Sequence, residues 1–183
     1  MNLIIDEITD LDFDPNFVAP EVDKEYYTRV ACRGILIYKD KIALPFISKE
    51  DYHKLPGGGV DENETLLEAF KREIKEETGC ECEVEEDQDN AVKEIRHKFK
   101  MIQISHIFFA RVIGKPEKAE YTPEEIEEGF ELQWVPISQI DEVLNSDSPK
   151  DYQGKFIQKR DRAIIDFYRK KIEESQSLKS DLV

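Results

Sequence analysis

The chain has 183 residues, of which 39% are hydrophobic and 37% charged, and it carries a net charge of −15. This length fits one domain with a single sizeable core. So acidic a surface repels nucleic-acid backbones and anionic membranes, which excludes duplex binding and membrane coating as expected functions. Three cysteines without zinc spacing, no basic signal region and no membrane-length apolar run predict a cytoplasmic protein with free thiols.

The acidic N-terminal segment, residues 1–28, is predicted to be an appendage with one strand that packs on the domain or on a partner. Two β-rich runs follow, Arg29 to Tyr38 and Lys41 to Ile47, and the two polar residues between them predict a hairpin. Arg29 and Arg33 lie in the first run, where an arginine can grip a phosphate with two hydrogen bonds. A surface salt bridge is the commoner role for at least one of them.

A glycine-rich loop and a helix are predicted for the next segment, LPGGGVDENETLLEAFKREIKEETGC, Leu55 to Cys80. Thr65 and Glu68 form a capping box, so the helix is expected to begin there. Gly79 is expected to end the helix, because glycine readily adopts the left-handed conformation. At about 100° per residue, an apolar arc then runs along the helix, formed by Leu67, Phe70 and Ile74 with Leu66 at its edge.

Carboxylates flank this arc where side chains should be half-buried. Glu73 and Glu77 lie four residues apart on the flank, and Glu76 lies at the border. Such neighbours repel one another and raise each other's pKa, so a cation is expected beside them. Oxygen ligands without His or Cys suit Mg²⁺ or Mn²⁺ rather than zinc. The glycines, Gly57 to Gly59, let backbone groups approach a phosphate, and together the two elements predict a site for a metal-held polyphosphate.

The rest of the chain alternates strands and helices. CECEVEE after the helix predicts an edge strand, and Met101 to Ile113 predicts a central strand. Residues 115–128 are predicted to be a loop dense in proline and glutamate. The remaining predicted elements are a strand at ELQWV, a short helix near Ser138 to Leu144 and a longer helix from Gln153 to Glu174. The domain is expected to span 29–174, followed by a disordered tail over 175–183.

The loop and helix together resemble the Nudix box. The matching residues are Gly58, Glu64 and the run Arg72-Glu73-Ile74-Lys75-Glu76-Glu77-Thr78-Gly79-Cys80. Every charged and glycine position is filled, and only Cys80 departs, because a branched aliphatic residue is usual there. Leu55-Pro56-Gly57 before the box and Trp134-Val135-Pro136 later in the chain also agree with the family. The resemblance implies an α/β fold, a Nudix-type α/β/α sandwich with a mixed β-sheet.

The same resemblance implies a metal-dependent hydrolase that cleaves the pyrophosphate bond of a nucleoside diphosphate linked to another moiety. The roles it carries over are metal binding by Glu73, Glu76 and Glu77, orientation of Glu73 by Arg72, and substrate contact by Gly57, Gly58 and Gly59. Gly58 could also offer its carbonyl to the metal, and Glu64 would brace the loop against the helix. The catalytic base is either Glu73 or a loop glutamate, with Glu127, Glu128 and Glu131 as candidates.

Two other functions are open on the same fold. One is a nucleotide sensor without turnover, which lost box glutamates would indicate, and none is lost. The other is an isoprenyl diphosphate isomerase, which would need an additional catalytic cysteine and metal-binding histidines. Among hydrolases, the expected partner is a small nucleotide derivative, and a homodimer is one option for assembly. The proline that ADP-ribose hydrolases of the family carry after the box is absent near Ile95, which argues against ADP-ribose.

Overall fold

The structure is a computed structural model that describes residues 3–85 and 90–180. The strands are β1 (Leu3–Thr9), β2 (Tyr27–Tyr38), β3 (Lys41–Ile47), β4 (Tyr52–His53), β5 (Glu81–Val84), β6 (Asn90–Arg96), β7 (Met101–Ile113) and β8 (Phe130–Pro136). The helices are α1 (Leu66–Thr78), α2 (Pro123–Glu128), α3 (Ile140–Ser146) and α4 (Tyr152–Ser180). Short 3₁₀ turns lie at Asp10–Asp12, His97–Phe99 and Ile137–Gln139.

One mixed sheet contains the eight strands of the described residues, in the order β1-β6-β7-β2-β3-β4, with β5 paired to β7 and β8 paired to β3. Strand β7 pairs with β2 in parallel and with β5 and β6 in antiparallel fashion, which confirms the predicted central strand. Strands β2 and β3 form the predicted hairpin, but they pair only at its closed end, Ile37 with Ile42 and Tyr38 with Lys41. Beyond those pairs the sheet is split between β2 and β3.

Segment 54–60, which contains the three glycines, occupies this split. The backbone hydrogen bonds that hold it are Gly34 N–H to Pro56 O (3.1 Å), Cys32 N–H to Gly58 O (2.9 Å) and, on the β3 side, Lys54 N–H to Pro45 O (2.9 Å). Gly57 has a φ of 130°, and a Cβ atom there would lie 2.3 Å from the Cys32 carbonyl oxygen. The glycine-rich loop is therefore part of the sheet, and it approaches β2 more closely than a side chain would allow.

Helices cover both faces of the sheet, because successive strand residues point to opposite sides. On one face, Phe70 of α1 stacks on Phe108 of β7 at 4.6 Å between ring centroids, in a core that also holds Leu36. On the other face, α4 contributes Phe156 to a larger core that includes Ile35. This arrangement confirms the α/β/α sandwich with a mixed β-sheet.

The predicted N-terminal strand is present as an integral edge of the sheet. Strand β1 runs parallel to β6, from Leu3 opposite Asn90 to Thr9 opposite Ile95. Ile8 is fully buried in the core under α4. The strand predicted within residues 1–28 thus packs on the domain itself. Across the described parts of the chain, no helix combines the length and the apolar character needed to cross a membrane.

Three predictions about elements need correction. Residues 123–128 form α2 rather than loop, because Thr122 caps the helix and Glu125 completes a second capping box. Leu67 is exposed rather than part of the buried arc, and Ala69 is buried instead. Helix α4 continues to Ser180, beyond the predicted end at Glu174, since no glycine or proline interrupts that stretch. The described part of the predicted tail, 175–180, is therefore helical, and 181–183 lie outside the described residues.

Candidate active site

The box helix, α1, is held at both ends as its sequence predicts. Thr65 Oγ1 accepts a hydrogen bond from the Glu68 N–H at 3.2 Å, and the Glu68 carboxylate accepts one from the Thr65 N–H at 2.9 Å. Gly79 ends the helix in the left-handed conformation at φ 67°. These local bonds fix where α1 begins and ends, and they therefore fix which glutamates face the sheet.

Glu77 is the most buried carboxylate of the box, with 2% of its surface exposed. Its Oε1 accepts a bond from Lys54 Nζ at 2.8 Å, and its Oε2 accepts one from the Gly57 N–H at 2.8 Å. The buried charge is compensated by an ammonium group and a backbone donor, as burial of an ion requires. Lys54 therefore supplies part of the positive charge that the clustered carboxylates require, and Glu77 also anchors the glycine-rich loop.

Arg72 connects the other carboxylates of the box. Its Nε and Nη2 donate to the two oxygens of Glu64 at 2.9 and 3.0 Å, in a bidentate pair. Its Nη1 donates to Glu73 at 2.9 Å and to Glu76 at 3.1 Å, while Nη2 also donates to the Gly59 carbonyl at 3.1 Å. The guanidinium thus holds Glu73, the loop and the helix in one arrangement. Hydrogen bonds to Glu64 and Glu73 raise the pKa of Arg72.

Glu73 lies directly against the loop at Gly58. A Cβ atom on Gly58 would lie 2.1 Å from Glu73 Oε1, so the carboxylate occupies the space that a side chain would need. Burial raises the pKa of Glu73, the charge of Glu77 raises it further, and Arg72 opposes both effects. A nearby cation would therefore stabilise the charged form of Glu73, which without a cation is more basic than an ordinary glutamate.

The residues fit a divalent cation by charge and by donor type, although the carboxylates have other partners in this structure. Among residues 3–85 and 90–180, no group of three or more Asp, Glu, His or Cys side chains converges on one point that could hold a metal. Glu77 is turned to Lys54, whereas Glu73 and Glu76 are joined by Arg72. Glu64, Glu73, Glu76 and Glu77 carry four negative charges against the two positive charges of Arg72 and Lys54, and a divalent cation would neutralise the remainder. Hard oxygen donors suit Mg²⁺ or Mn²⁺.

A cleft of about 550 Å³ opens beside the box. Its lining includes Arg72 and Glu73 from α1, Gly59 from the glycine-rich loop, and Arg29 and Tyr27 from β2. Arg29 Nη2 lies 3.3 Å from the position that a Cβ atom on Gly59 would take. An anionic wall that fits a cation and a guanidinium that fits a phosphate therefore face the same space.

The loop glutamates considered as bases are exposed, and none of the three lines the cleft. Glu127 pairs with Lys49 at 3.6 Å on an exposed part of α2, and Glu128 and Glu131 are also exposed. The segment that does return to the box precedes α2, since the Glu120 N–H donates to the Glu76 carbonyl at 2.8 Å. Sequence reasoning missed this contact, because nothing in the local pattern links the loop to the end of α1.

Two other groups bear on the alternatives. The three thiols, Cys32, Cys80 and Cys82, are all free and buried, so none of them is presented to a substrate as an isomerase would require. Lys54 was also missed by sequence reasoning, although its position directly before Leu55-Pro56-Gly57 offered a signal. Arg96 of β6 and Arg160 of α4, which line a cavity next to the cleft, were missed as well, because folding alone brings them there.

Comparisons with known proteins agree with this fold. A Nudix-family hydrolase from Clostridium perfringens superposes with a TM-score of 0.52 at 16% identity, covering 77% of this chain and 98% of that chain. A Nudix hydrolase from Nitrosomonas europaea gives 0.55 at 19% identity, covering 78% and 90%. A UDP-X diphosphatase gives 0.52 at 17% identity, covering 86% and 68%. No curated protein matches the chain in sequence.

At these identities the structural likeness establishes the fold alone. The sequence model of the NUDIX domain matches residues 29–158, which is more than half of the chain. That match contains the whole loop and helix described above, with every charged and glycine position of the box present. The chain therefore belongs to the Nudix family and is a Nudix pyrophosphohydrolase.

Proposed function

We propose that the chain hydrolyses the pyrophosphate bond of a nucleoside diphosphate linked to another moiety, with Mg²⁺ or Mn²⁺. The observation that carries this proposal is the cleft beside the box, which Glu73, held by Arg72, and Arg29 both line. A diphosphate has negative oxygens on every side, so its binding requires positive charge on more than one side. Arg29 supplies one of these charges, and a cation bound to the box supplies the other.

In this proposal, Glu73, Glu76 and Glu77 would hold a divalent cation, which when bound would neutralise charge on the diphosphate and lower the pKa of the attacking water. Arg72 keeps Glu73 in place through its hydrogen bond of 2.9 Å. Glu73 accepts the proton of the water, because it lines the cleft and is held there by Arg72. The water oxygen bonds to one phosphorus, and the bridging oxygen leaves with the other phosphoryl group.

The experiment that tests the proposal is hydrolysis of a panel of nucleoside diphosphate derivatives with Mg²⁺ or Mn²⁺, with released nucleoside monophosphate and phosphate as readouts. Glu73→Gln preserves shape but removes charge, so turnover of the best substrate should fall by at least ~10² while the fold is retained. Glu83→Gln is the matched control, because Glu83 is exposed on β5, and this variant should behave as the wild type. Near-normal turnover by Glu73→Gln would remove Glu73 from the mechanism.

The position of the base is tested in the same assay. If Glu73 is the base, Glu120→Gln, Glu127→Gln, Glu128→Gln and Glu131→Gln should each retain most of the activity. A loss of ~10² in one of them alone would transfer the role of base to that loop glutamate. Tight binding of a nucleotide without turnover under all metal conditions would favour a sensor.

A further inference from the structure

A second cavity, of about 460 Å³, adjoins the cleft on the face of the sheet that α4 covers. Four arginines line it, although they come from three different elements: Arg29 and Arg33 from β2, Arg96 from β6 and Arg160 from α4. Such a concentration of one charge is unexpected in a chain whose net charge is −15. We call it the arginine cavity.

Three of these arginines are almost completely buried, with exposures of 6% for Arg33, 3% for Arg96 and 0% for Arg160. Within the described residues, no hydrogen-bond acceptor is in reach of Arg33 Nε and Nη1, of Arg96 Nε, or of Arg160 Nη1 and Nη2. Arg160 Nη1 comes only to 3.7 Å of Glu94 Oε2. Buried donors of charged groups are normally paired, because each unpaired one is costly.

The acidic groups beside the cavity do not neutralise it. Glu94 accepts hydrogen bonds from Arg96 Nη2 and from Gln103 Nε2, and Asp161 accepts one from Arg160 Nε and one from the Leu55 N–H. Two carboxylates thus accept hydrogen bonds among four guanidinium groups. Glu77 and Glu73 of the box also act on Arg33 and Arg29, but they are bonded to Lys54 and Arg72.

The excess of positive charge acts on Arg33 and Arg29, whereas burial of Arg160 is outweighed by Asp161 and Glu94, which raise the pKa of Arg160. Burial lowers the pKa of Arg33 to about 10, and the neighbouring charge of Arg160 contributes. Burial also lowers the pKa of Arg29, with Arg160 and Arg96 contributing. At neutral pH these groups are still protonated, so the repulsion between them persists in the absence of an anion.

The arginine cavity and the cleft are neighbours, because Tyr27 and Arg29 line both. A molecule whose diphosphate lies against Glu73 would reach the cavity by extending past Arg29. A phosphoryl group is the anion that suits several guanidinium groups at once, since its oxygens accept many charge-assisted hydrogen bonds. The apolar part of the lining, Phe99, Met101 and Ile157, would accommodate the uncharged part of the molecule.

We infer that the arginine cavity binds a phosphoryl group of the substrate other than those of the scissile diphosphate. The preferred substrate then carries at least one additional phosphoryl group, either pendant on a ribose or farther along a phosphate chain. This inference rests on the proposed function for the cleft, and it names the class of derivative that the cleft and cavity accept together.

Binding of inorganic phosphate tests the cavity without any catalysis. The full chain is stripped of metal on a chelating resin, so that no soluble chelator competes, and chloride keeps the ionic strength constant. Phosphate at a hundredfold excess over its Kd should raise the melting temperature by about 5 to 10 °C. Arg33→Met should lose most of this rise, whereas Glu73→Gln and the exposed control Arg111→Met should keep it.

Arg33→Met also separates a ligand-binding role from a structural one. Nε and Nη1 of Arg33 have no hydrogen-bond partner among the described residues, and both burial and the neighbouring charge of Arg160 disfavour its charged form. Without phosphate, the variant should therefore melt at or above the wild-type temperature, although it no longer responds to phosphate. A variant that melts several degrees lower but keeps the full phosphate response would overturn the inference.

Matched substrate pairs test the additional phosphoryl group. The pairs are NAD with NADP, which differ by a pendant phosphate, and diadenosine diphosphate with diadenosine tetraphosphate, which differ in chain length. In at least one pair, kcat/KM with Mg²⁺ should be at least tenfold higher for the member with more phosphoryl groups, and Arg33→Met should bring the ratio close to one. Ratios close to one in both wild-type pairs would overturn the inference. Phosphate binding that depends on Arg33, without hydrolysis of any member, would instead overturn the hydrolytic proposal and the assignment of this anion to a substrate.

Discussion

At the scale of single residues, Gly58 shows why the box requires a glycine at its first position. Its φ angle is not in the left-handed region, so backbone conformation alone does not exclude a side chain. The constraint comes instead from Glu73, whose carboxylate lies where a Cβ atom would project. The glycine thus determines the position of a side chain fifteen residues later in the chain.

Gly58→Ala should therefore displace Glu73 rather than unfold the loop. The added methyl group would lie 2.1 Å from Glu73 Oε1, and the hydrogen bond from Arg72 would have to move with the carboxylate. We expect kcat on the best substrate to fall by ~10-fold to ~10²-fold, because a shift of about 1 Å in a catalytic group has that effect.

The melting temperature provides the control for this variant. Since the neighbouring atoms are the end of a flexible side chain, Gly58→Ala should lose only a few degrees. By contrast, Gly57→Ala meets the Cys32 carbonyl oxygen at 2.3 Å with a φ of 130°, so it should be much less stable. Wild-type kcat in Gly58→Ala would show that the position of Glu73 is not critical.

At the scale of elements, α1 and the glycine-rich loop behave as one unit through Lys54 and Glu77. The ammonium group of Lys54 partly neutralises the carboxylates, so the fold without metal does not carry their full repulsion. A divalent cation at the box has to compete with this ammonium group. The arrangement predicts that the gain in melting temperature on metal addition depends on both residues. Loss of the Glu77 charge should reduce this gain, and loss of the Lys54 charge should increase it.

Mg²⁺ or Mn²⁺ should raise the melting temperature relative to metal-free protein, whereas Na⁺ at the same ionic strength should not. At a hundredfold excess over Kd the linkage is about 2.7 kcal/mol, or on the order of 5 to 10 °C for a domain of this size. Glu77→Gln should remove most of this gain. Lys54→Met should be less stable without metal but should gain more on metal addition, because Glu77 is then uncompensated.

A metal response that is undiminished in Glu77→Gln would place the cation elsewhere on this acidic surface. An unchanged or smaller response in Lys54→Met would show that the ammonium group assists the metal rather than competing with it. Differential scanning fluorimetry on the full chain measures all of these shifts.

Elements whose ends are determined by residues nearby in the chain could be predicted from the sequence. The two ends of α1 depend on Thr65, Glu68 and Gly79, all within a few residues of the helix, and the structure confirms them. The same capping pattern at Thr122 and Glu125 marks α2, which was missed because the surrounding prolines and glutamates suggested a loop. Within the box, the residue types and their order are sufficient to identify the family.

Contacts between distant segments could not be predicted. Arg160 on α4 meets Glu94 on β6, and neither position carries a periodic or motif signal. Likewise, Lys54 finds Glu77 only because segment 54–60 enters the split in the sheet. A pattern along one segment reports which face a residue occupies, but it does not report which segment will lie opposite.

At the scale of the whole molecule, the N-terminal segment is structurally joined to the Nudix domain. Strand β1 extends the sheet beyond β6, and its Ile8 is buried in the core beneath α4. The family match begins only at residue 29, so this strand is an addition to the matched region. Its burial makes it a contributor to stability rather than a free arm.

Ile8→Ala should accordingly lower the free energy of unfolding by about 2 to 5 kcal/mol, the range for truncation of a buried aliphatic side chain. Leu3→Ala, on the same strand but exposed, is the matched control and should change it by less than about 0.5 kcal/mol. Urea denaturation measures both. Equal, small effects of the two substitutions would show that β1 detaches without loss of the core.

The position of segment 54–60 inside the split sheet has a consequence for motion during turnover. Its backbone is bonded to β2 and β3, so this segment cannot swing open as a flap without breaking those bonds. The amide protons of Cys32 and Gly34, which donate to it, should consequently exchange with solvent as slowly as those of the sheet interior, with or without bound nucleotide. Entry and release of substrate would then depend on side chains at the mouth of the cleft, such as Arg29 and Tyr27, which reorient in nanoseconds rather than milliseconds.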